Sequence, residues 1–134
     1  MGARTTWEIV GENGVSMFLY SHWGGDTKWE DTVEALRTSE PRWMDESYGA
    51  RIFMSTIIGE DWSKETGFGI SAGTSGMVPF EEEFFPIKLN FSTQTISLGV
   101  KSKTNPAPFL EYTFEQFVNG VGDSSHALVE AYWA

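Results

Sequence analysis

The sequence predicts an α+β domain in which helices pack on one face of a largely antiparallel sheet. Apolar and polar residues alternate near the beginning and in the middle of the chain, which is the periodicity of strands. Two stretches of helical periodicity lie between these regions, and a capping signal marks a third helix near the end. The predicted order is β-β-α-α-β-β-β-α, and we expect residues 1–134 to form one compact domain.

The first two predicted strands form a hairpin. The strands Trp7–Val10 and Val15–Tyr20 flank the sequence Gly11-Glu-Asn-Gly14, and Asn-Gly is a strong turn signal. The connection Tyr20–Gly25 follows, where two glycines let the backbone turn sharply. His22 and Trp23 therefore lie at the exit of a strand, where folds often present functional residues.

A first helix is predicted over Thr27–Arg37. Asp26 or Thr27 can cap its N-terminus, and Pro41 lies beyond its C-terminus. Its apolar face consists of Trp29, Val33, Ala35 and Leu36. Such a face predicts a helix that packs against the sheet.

A second helix is predicted over Trp43–Ile58, and Gly59 is placed to end it. Its apolar face consists of Trp43, Tyr48, Ile52, Phe53, Ile57 and Ile58. The recurrence of these residues is broadly helical, so this helix is also expected to cover the sheet.

Three further strands and a helix follow. Phe68 and Ile70 alternate with small residues in a strand over Thr66–Ser71, and residues 71–76 have the composition of a flexible loop. Alternating apolar residues predict a second hairpin, with strands over Phe85–Phe91 and Thr95–Val100.

The last part of the chain begins with a loop over Asn105–Pro108. Thr113 and Gln116 match a capping box, which favours a short helix over Phe114–Asn119. The tail Ala127–Trp133 is compatible with either a strand or a helix.

Charge and composition limit the classes of function. The chain has 19 acids and 9 bases, a net charge of −10, so we expect no direct binding to nucleic acid or anionic membrane. The acids, Glu8 among them, are spread along the chain and suggest a solvated surface. A surface that mimics phosphates is the alternative, with Glu81-Glu82-Glu83 as its one dense run.

Absent features limit the function further. The chain has no cysteine, which excludes disulfides, thiolate nucleophiles and zinc–cysteine sites. It starts without the apolar core of a signal peptide, and no apolar run approaches about 18 residues. We therefore expect a cytoplasmic protein without a membrane span.

Four residues are candidates for a ligand-binding site: His22, Trp23, Tyr48 and Arg51. The aromatic faces and the planar guanidinium would suit an anionic or planar ligand, such as a nucleotide. A purely structural role remains open, with His22 bonded to a backbone carbonyl and Arg51 paired with an acid such as Asp45. His22 could also act as a general base, with Asp26 or Asp45 as its partner.

No metal or cofactor is expected. His22, Asp26, Asp45 and His126 are the possible metal ligands, but their spacing matches no known metal motif. Gly67-x-Gly69 lacks the residues that complete a phosphate-binding or dinucleotide-binding loop. The glycines are better explained by a strand and its exit.

Several of these segments together resemble a group of proteins. Tyr20-Ser-His-Trp-Gly-Gly25, Ala35-Leu-Arg37, Trp43-x-Asp-x-x-Tyr-x-x-Arg-Ile52 and Thr66-Gly-Phe-Gly-Ile-Ser71 are similar to segments of small uncharacterised proteins from phages of actinobacteria. The resemblance implies a non-structural phage protein that acts inside the bacterial cell. It assigns no activity to any residue.

Three classes of function follow. The first is an interaction protein that binds a host or defence-system protein through an aromatic surface, because Trp and Tyr anchor many interfaces. The second is a small-ligand, nucleotide-like binding or sequestering protein that uses the four candidate residues. The third is a small hydrolase that uses His22. Ten Phe and six Trp also allow a homodimer, since any exposed excess would mark an interface.

Overall fold

A computed structural model of the chain describes residues 4–79, 87–99 and 109–119. Their six strands are β1 (Thr5–Val10), β2 (Val15–Ser21), β3 (Phe68–Thr74), β4 (Ile87–Asn90), β5 (Thr95–Gly99) and β6 (Phe109–Thr113). Their α-helices are α1 (Lys28–Ser39), α2 (Glu46–Ile58) and α3 (Phe114–Val118). The strands form one sheet in the order β3-β2-β1-β4-β5-β6. Only the β1–β4 pair of that sheet is parallel, which confirms the predicted α+β class.

The helices cover one face of this sheet. Trp7 of β1 lies opposite Leu19 of β2 and Ile87 of β4, and all three side chains are buried in the core. Residues that face each other across neighbouring strands share a face of the sheet. The core is therefore built from alternate strand residues together with the apolar sides of the helices.

Helix α1 is fixed to β1 by polar contacts inside the core. The indole Nε1 of Trp7 donates a hydrogen bond of 2.8 Å to Oγ1 of Thr32. Lys28 is fully buried and donates to the hydroxyl of Thr5 and, at 3.0 Å, to the carbonyl oxygen of Thr6. Its ammonium group lies 5.4 Å from the centre of the Trp7 ring. Helical periodicity does not reveal these contacts, because Lys28 and Thr32 lie outside the apolar pattern.

The opposite face of the sheet contains a buried carboxylate. Glu8 is 1% exposed, although the sequence places it with the solvated acids. One of its oxygens, Oε2, accepts hydrogen bonds from the Ser16 hydroxyl at 2.7 Å and the Gly76 amide at 2.9 Å. The expectation for Glu8 is wrong because the turn after β3 closes over this side chain.

Local turn and cap signals are confirmed. Asn13 and Gly14 both have positive φ, 60° and 75°, as expected of the predicted Asn-Gly turn. Gly59 ends α2 with a φ of 60°. Thr113 and Gln116 form the expected reciprocal capping box at the start of α3.

The starts of the first two helices differ from the prediction. The side chain of Thr27 does not cap α1 but donates to Asp31, whose pKa is raised mainly by burial. Helix α2 begins at Glu46 rather than at Trp43, because Asp45 caps it by accepting from the Tyr48 amide. Tyr48 itself is 53% exposed, so its predicted place on the apolar face is wrong. None of the helices among the described residues is long and apolar enough to cross a membrane.

Two strands also differ from the prediction. Strand β3 runs to Thr74, through residues predicted as a loop, because Ser71–Thr74 pair with β2. Strand β6 is absent from the predicted order, although Leu110 and Tyr112 alternate with polar residues. The predictions for Phe85, Val100, Asn105–Pro108, His126 and Ala127–Trp133 fall outside the described residues.

Gly49 of α2 lies where a side chain has no room. A Cβ atom there would lie 2.6 Å from the Arg42 carbonyl oxygen and 2.9 Å from Cε1 of Phe91. Replacing a helical glycine by alanine ordinarily stabilises by about 0.5–1 kcal/mol. We expect Gly49→Ala to lower the free energy of unfolding instead, by about 1–3 kcal/mol, because the site becomes overpacked. Urea denaturation measures the change.

The control for this variant is Ser47→Ala, on the exposed side of the same helix. It should change the free energy of unfolding by less than about 0.5 kcal/mol. A Gly49→Ala protein as stable as the unmodified chain would contradict the close packing of α2.

Candidate functional site

An apolar groove lies between α2 and the sheet. It encloses about 440 Å³. Ile9 of β1 with Val15 and Met17 of β2 line it from the sheet, and Ala50 and Met54 line it from the helix. Trp62, in the 3₁₀ turn that follows α2, lines it as well. The groove is thus formed by elements that the core already holds in place.

Large apolar side chains that line this groove, and Ile70 on the neighbouring strand β3, are exposed to solvent. The exposed fractions are 51% for Val15, 40% for Met17, 53% for Trp62 and 44% for Ile70. Grouped exposure of this kind marks binding surfaces, whereas scattered single side chains do not. The groove is therefore the strongest candidate for a functional surface among the described residues.

The exposure follows from incomplete coverage of the helix-bearing face. Met17 lies opposite Ala72 of β3, and Val15 lies opposite Thr74. Ile70 lies opposite Leu19, which is fully buried, so all of these residues belong to the helix-bearing face. We call Val15, Met17, Ile70, Ala72 and Thr74 the shelf. Each of them is exposed, because no described element covers this part of β2 and β3.

Charged side chains stand beside the apolar groove. Glu12 and Glu46 supply two carboxylates, and Arg51 supplies one guanidinium. Arg51 is exposed and forms no salt bridge with the residues that the structure describes. The carboxylate of Asp45, one of its predicted partners, instead accepts a 3.3 Å hydrogen bond from the Tyr48 amide. Acidic groups outnumber basic ones at the groove.

His22 and Trp23 lie together at the other end of β2. The rings of His22 and Trp23 are perpendicular with centroids 4.7 Å apart, and Nδ1 of His22 lies 2.9 Å from the hydroxyl of Tyr20. The His22 amide donates to the carbonyl oxygen of Gly67 at 2.8 Å. The segment therefore leads from β2 toward α1 and is held to the residue before β3 by a backbone hydrogen bond, as a structural turn would be.

The described contacts of this segment do not form a hydrolytic site. Ser21 is buried, and its Oγ accepts a 2.8 Å hydrogen bond from the Gly24 amide. The ring of His22 contacts the Tyr20 hydroxyl rather than a carboxylate. Catalysis by His22 needs a nucleophile and an orienting acid within reach, and the hydrolase hypothesis gains no support from these contacts.

The four predicted ligand-binding residues are divided between separate places. His22 and Trp23 lie beyond Ser21, whereas Arg51 lines the groove near Val15. Val15 and Ser21 are the two ends of β2, about 20 Å apart at about 3.3 Å per residue. The ring of Tyr48 lies elsewhere, 5.2 Å from the Arg42 guanidinium. Ligand binding by the four stays a prediction, and no described cavity contains them all.

Neither metal ligands among the described residues nor similarity to known proteins points to a further candidate site. No group of three or more His, Asp or Glu residues that could hold a metal ion occurs within the described ranges. Comparison with protein-family models, curated proteins and solved structures finds no match. The functional argument therefore rests on the geometry of the groove.

Sequence reasoning missed most of the groove. It identified Arg51, but not Val15, Met17, Trp62 or Ile70. A signal was present in β2, where apolar residues occupy both alternating positions, with Val15, Met17 and Leu19 on one face and Phe18 on the other. Such a strand has apolar side chains on both faces of the sheet, and those that the core does not cover are available to bind another protein.

Ser21 should act as a structural residue. Replacing it by alanine removes the acceptor for the Gly24 amide, so we expect Ser21→Ala to lower the free energy of unfolding by about 1–2 kcal/mol. Urea denaturation measures this loss, with Ser63→Ala on the exposed surface as the control. Unchanged stability would contradict this structural role.

Proposed function

We propose that this protein is an interaction protein that binds another protein through the groove and the shelf. The observation that carries the proposal is the exposure, at 40% or more, of Val15, Met17 and Trp62 in one groove and of Ile70 on the neighbouring strand β3. Tryptophan and methionine are enriched in the buried centres of interfaces. Covering these side chains would remove apolar surface from water, which favours association.

The biological context of the proposal comes from the sequence. The resemblance to small proteins from phages of actinobacteria supports action inside the cytoplasm of an infected bacterium. The partner would then be a host protein or a component of a defence system. A net charge of −10 disfavours nucleic acid and anionic membrane as the target and favours a protein with a basic surface.

The rigid setting of the groove supports binding with little rearrangement. Ile9 and Met54 are buried members of the core, and α2 is capped at both ends. The exposed side chains therefore project from elements that are ordered before a partner arrives. Such preorganisation reduces the entropy lost on association.

A photo-reactive amino acid placed at position 17 tests the proposal. The chain is produced in an actinobacterial host, irradiated and analysed for covalent adducts. We expect one dominant protein adduct, because position 17 lies within the binding surface. Position 44 is the matched control, since Met44 is 75% exposed but does not line the groove.

Competition makes this experiment specific. Excess unmodified chain should suppress the adduct, whereas excess Ile70→Glu chain should not, because a charge on the shelf opposes apolar contact. Equal adducts at positions 17 and 44, or no adduct at position 17, would contradict the proposed function.

A further inference from the structure

We infer that the partner contributes a cationic amphipathic helix, which lies on the shelf beside α2 and extends the helix layer. The inference rests on the proposed function and specifies the partner of the same surface. Four properties carry it: the width of the shelf, the position of the shelf relative to the sheet edge, the length of the groove and the charge beside the groove.

The width of the shelf matches one helix. It spans two adjacent strands, β2 and β3, which lie about 4.8 Å apart, so its side chains cover about 10 Å. An α-helix with its side chains has a diameter of about 10–12 Å. Helices already cover the neighbouring part of this face, so an added helix would continue an existing layer.

The position of the exposed side chains favours a helix over an added strand. Strand β3 is an edge of the described sheet, and another strand could pair with its outer side. Such a strand would lie about 10 Å from β2, in the plane of the sheet. It would leave Val15 and Met17 uncovered, because these residues belong to β2 and point out of that plane. A helix on the face contacts both strands.

The length of the groove sets the length of the contact. Glu46 and Met54 both line it, and they lie about 12 Å apart along α2 at about 1.5 Å per residue. Trp62 extends the apolar surface beyond Met54. A helix of about three turns would cover this distance, with apolar residues at positions i, i+3, i+4 and i+7.

Charge complementarity specifies the polar side of that helix. Among the described residues that line the groove, Glu12 and Glu46 are acidic and Arg51 is the one cation, and the whole chain has a net charge of −10. Lysine or arginine beside the apolar stripe would face these carboxylates and accelerate association. A second copy of this chain would bring another ten negative charges, so charge disfavours it as the occupant.

Three synthetic peptides of about 18 residues test the inference, since shorter isolated helices are marginal in water. The first has leucine and lysine in a helical pattern. The second replaces its lysines by glutamates, and the third has the composition of the first with strict alternation of leucine and lysine. Each carries a fluorescent label, and binding to the full chain is measured by fluorescence anisotropy.

We expect the helical lysine peptide to bind at least ten times more tightly than either of the others. The double variant Met17→Ser/Ile70→Ser should weaken its binding at least tenfold, whereas Met44→Ser should leave it unchanged. Equal or tighter binding of the alternating peptide would overturn the helical occupant. Binding of the glutamate peptide as tight as that of the lysine peptide would overturn the cationic character of the occupant. If Met44→Ser weakened binding as much as the double variant does, the shelf would not be the binding site.

Two further measurements distinguish the other occupants. If residues 120–134 of this chain cover the shelf, the photo-reactive residue at position 17 should cross-link the purified chain internally to that segment, and the inference is overturned; an exposed shelf predicts no such internal cross-link. Analytical ultracentrifugation distinguishes a second copy. A dimer of the unmodified chain together with a monomer of the double variant would overturn the inference, because a second copy would then cover the shelf. If the peptides do not bind but position 17 gives a specific adduct, only the helical occupant is refuted. If there is neither peptide binding nor an adduct, the proposed function is refuted as well.

Discussion

The helix layer is fastened to the centre of the sheet at Trp7, whose indole donates a hydrogen bond to Thr32. This bond joins the central strand β1 to α1 inside the core, where water cannot replace a lost partner. Helix α1 packs in turn against α2 and α3. These contacts of α1 thus connect the helix layer to the central strand. Because no described element extends over β3, part of the sheet face is left without cover from the described residues, and the groove and the shelf result from that arrangement.

Strand β2 serves both stability and the proposed interaction. Phe18 and Leu19 are fully buried on opposite faces, whereas Val15 and Met17 are exposed near the start of the strand. The exposed residues consequently stand on a backbone held by β1 on one side and β3 on the other. This is the rigid support that a binding surface needs if it is not to lose entropy when a partner associates.

The candidate site was less predictable than the fold. Arg51 was identified because an arginine among apolar residues needs an explanation, and it does line the groove. His22 and Trp23 were grouped with it because all three are chemically distinctive, but they lie at the far end of β2. Sequence separation and residue type do not specify distance in space. The residue types of Met17 and Trp62 do not distinguish them from core residues, and their exposure in the fold does.

The sequence by itself determined the local structure: the hairpin turn at Asn13-Gly14, the end of α2 at Gly59 and the capping box of α3. Each depends on backbone dihedral angles and on partners a few residues away, so nearby residue types suffice. The tertiary structure alone decided that Glu8 is buried and that Val15 is exposed. Burial depends on which distant segment covers a side chain, and periodicity reports only the face on which that side chain lies.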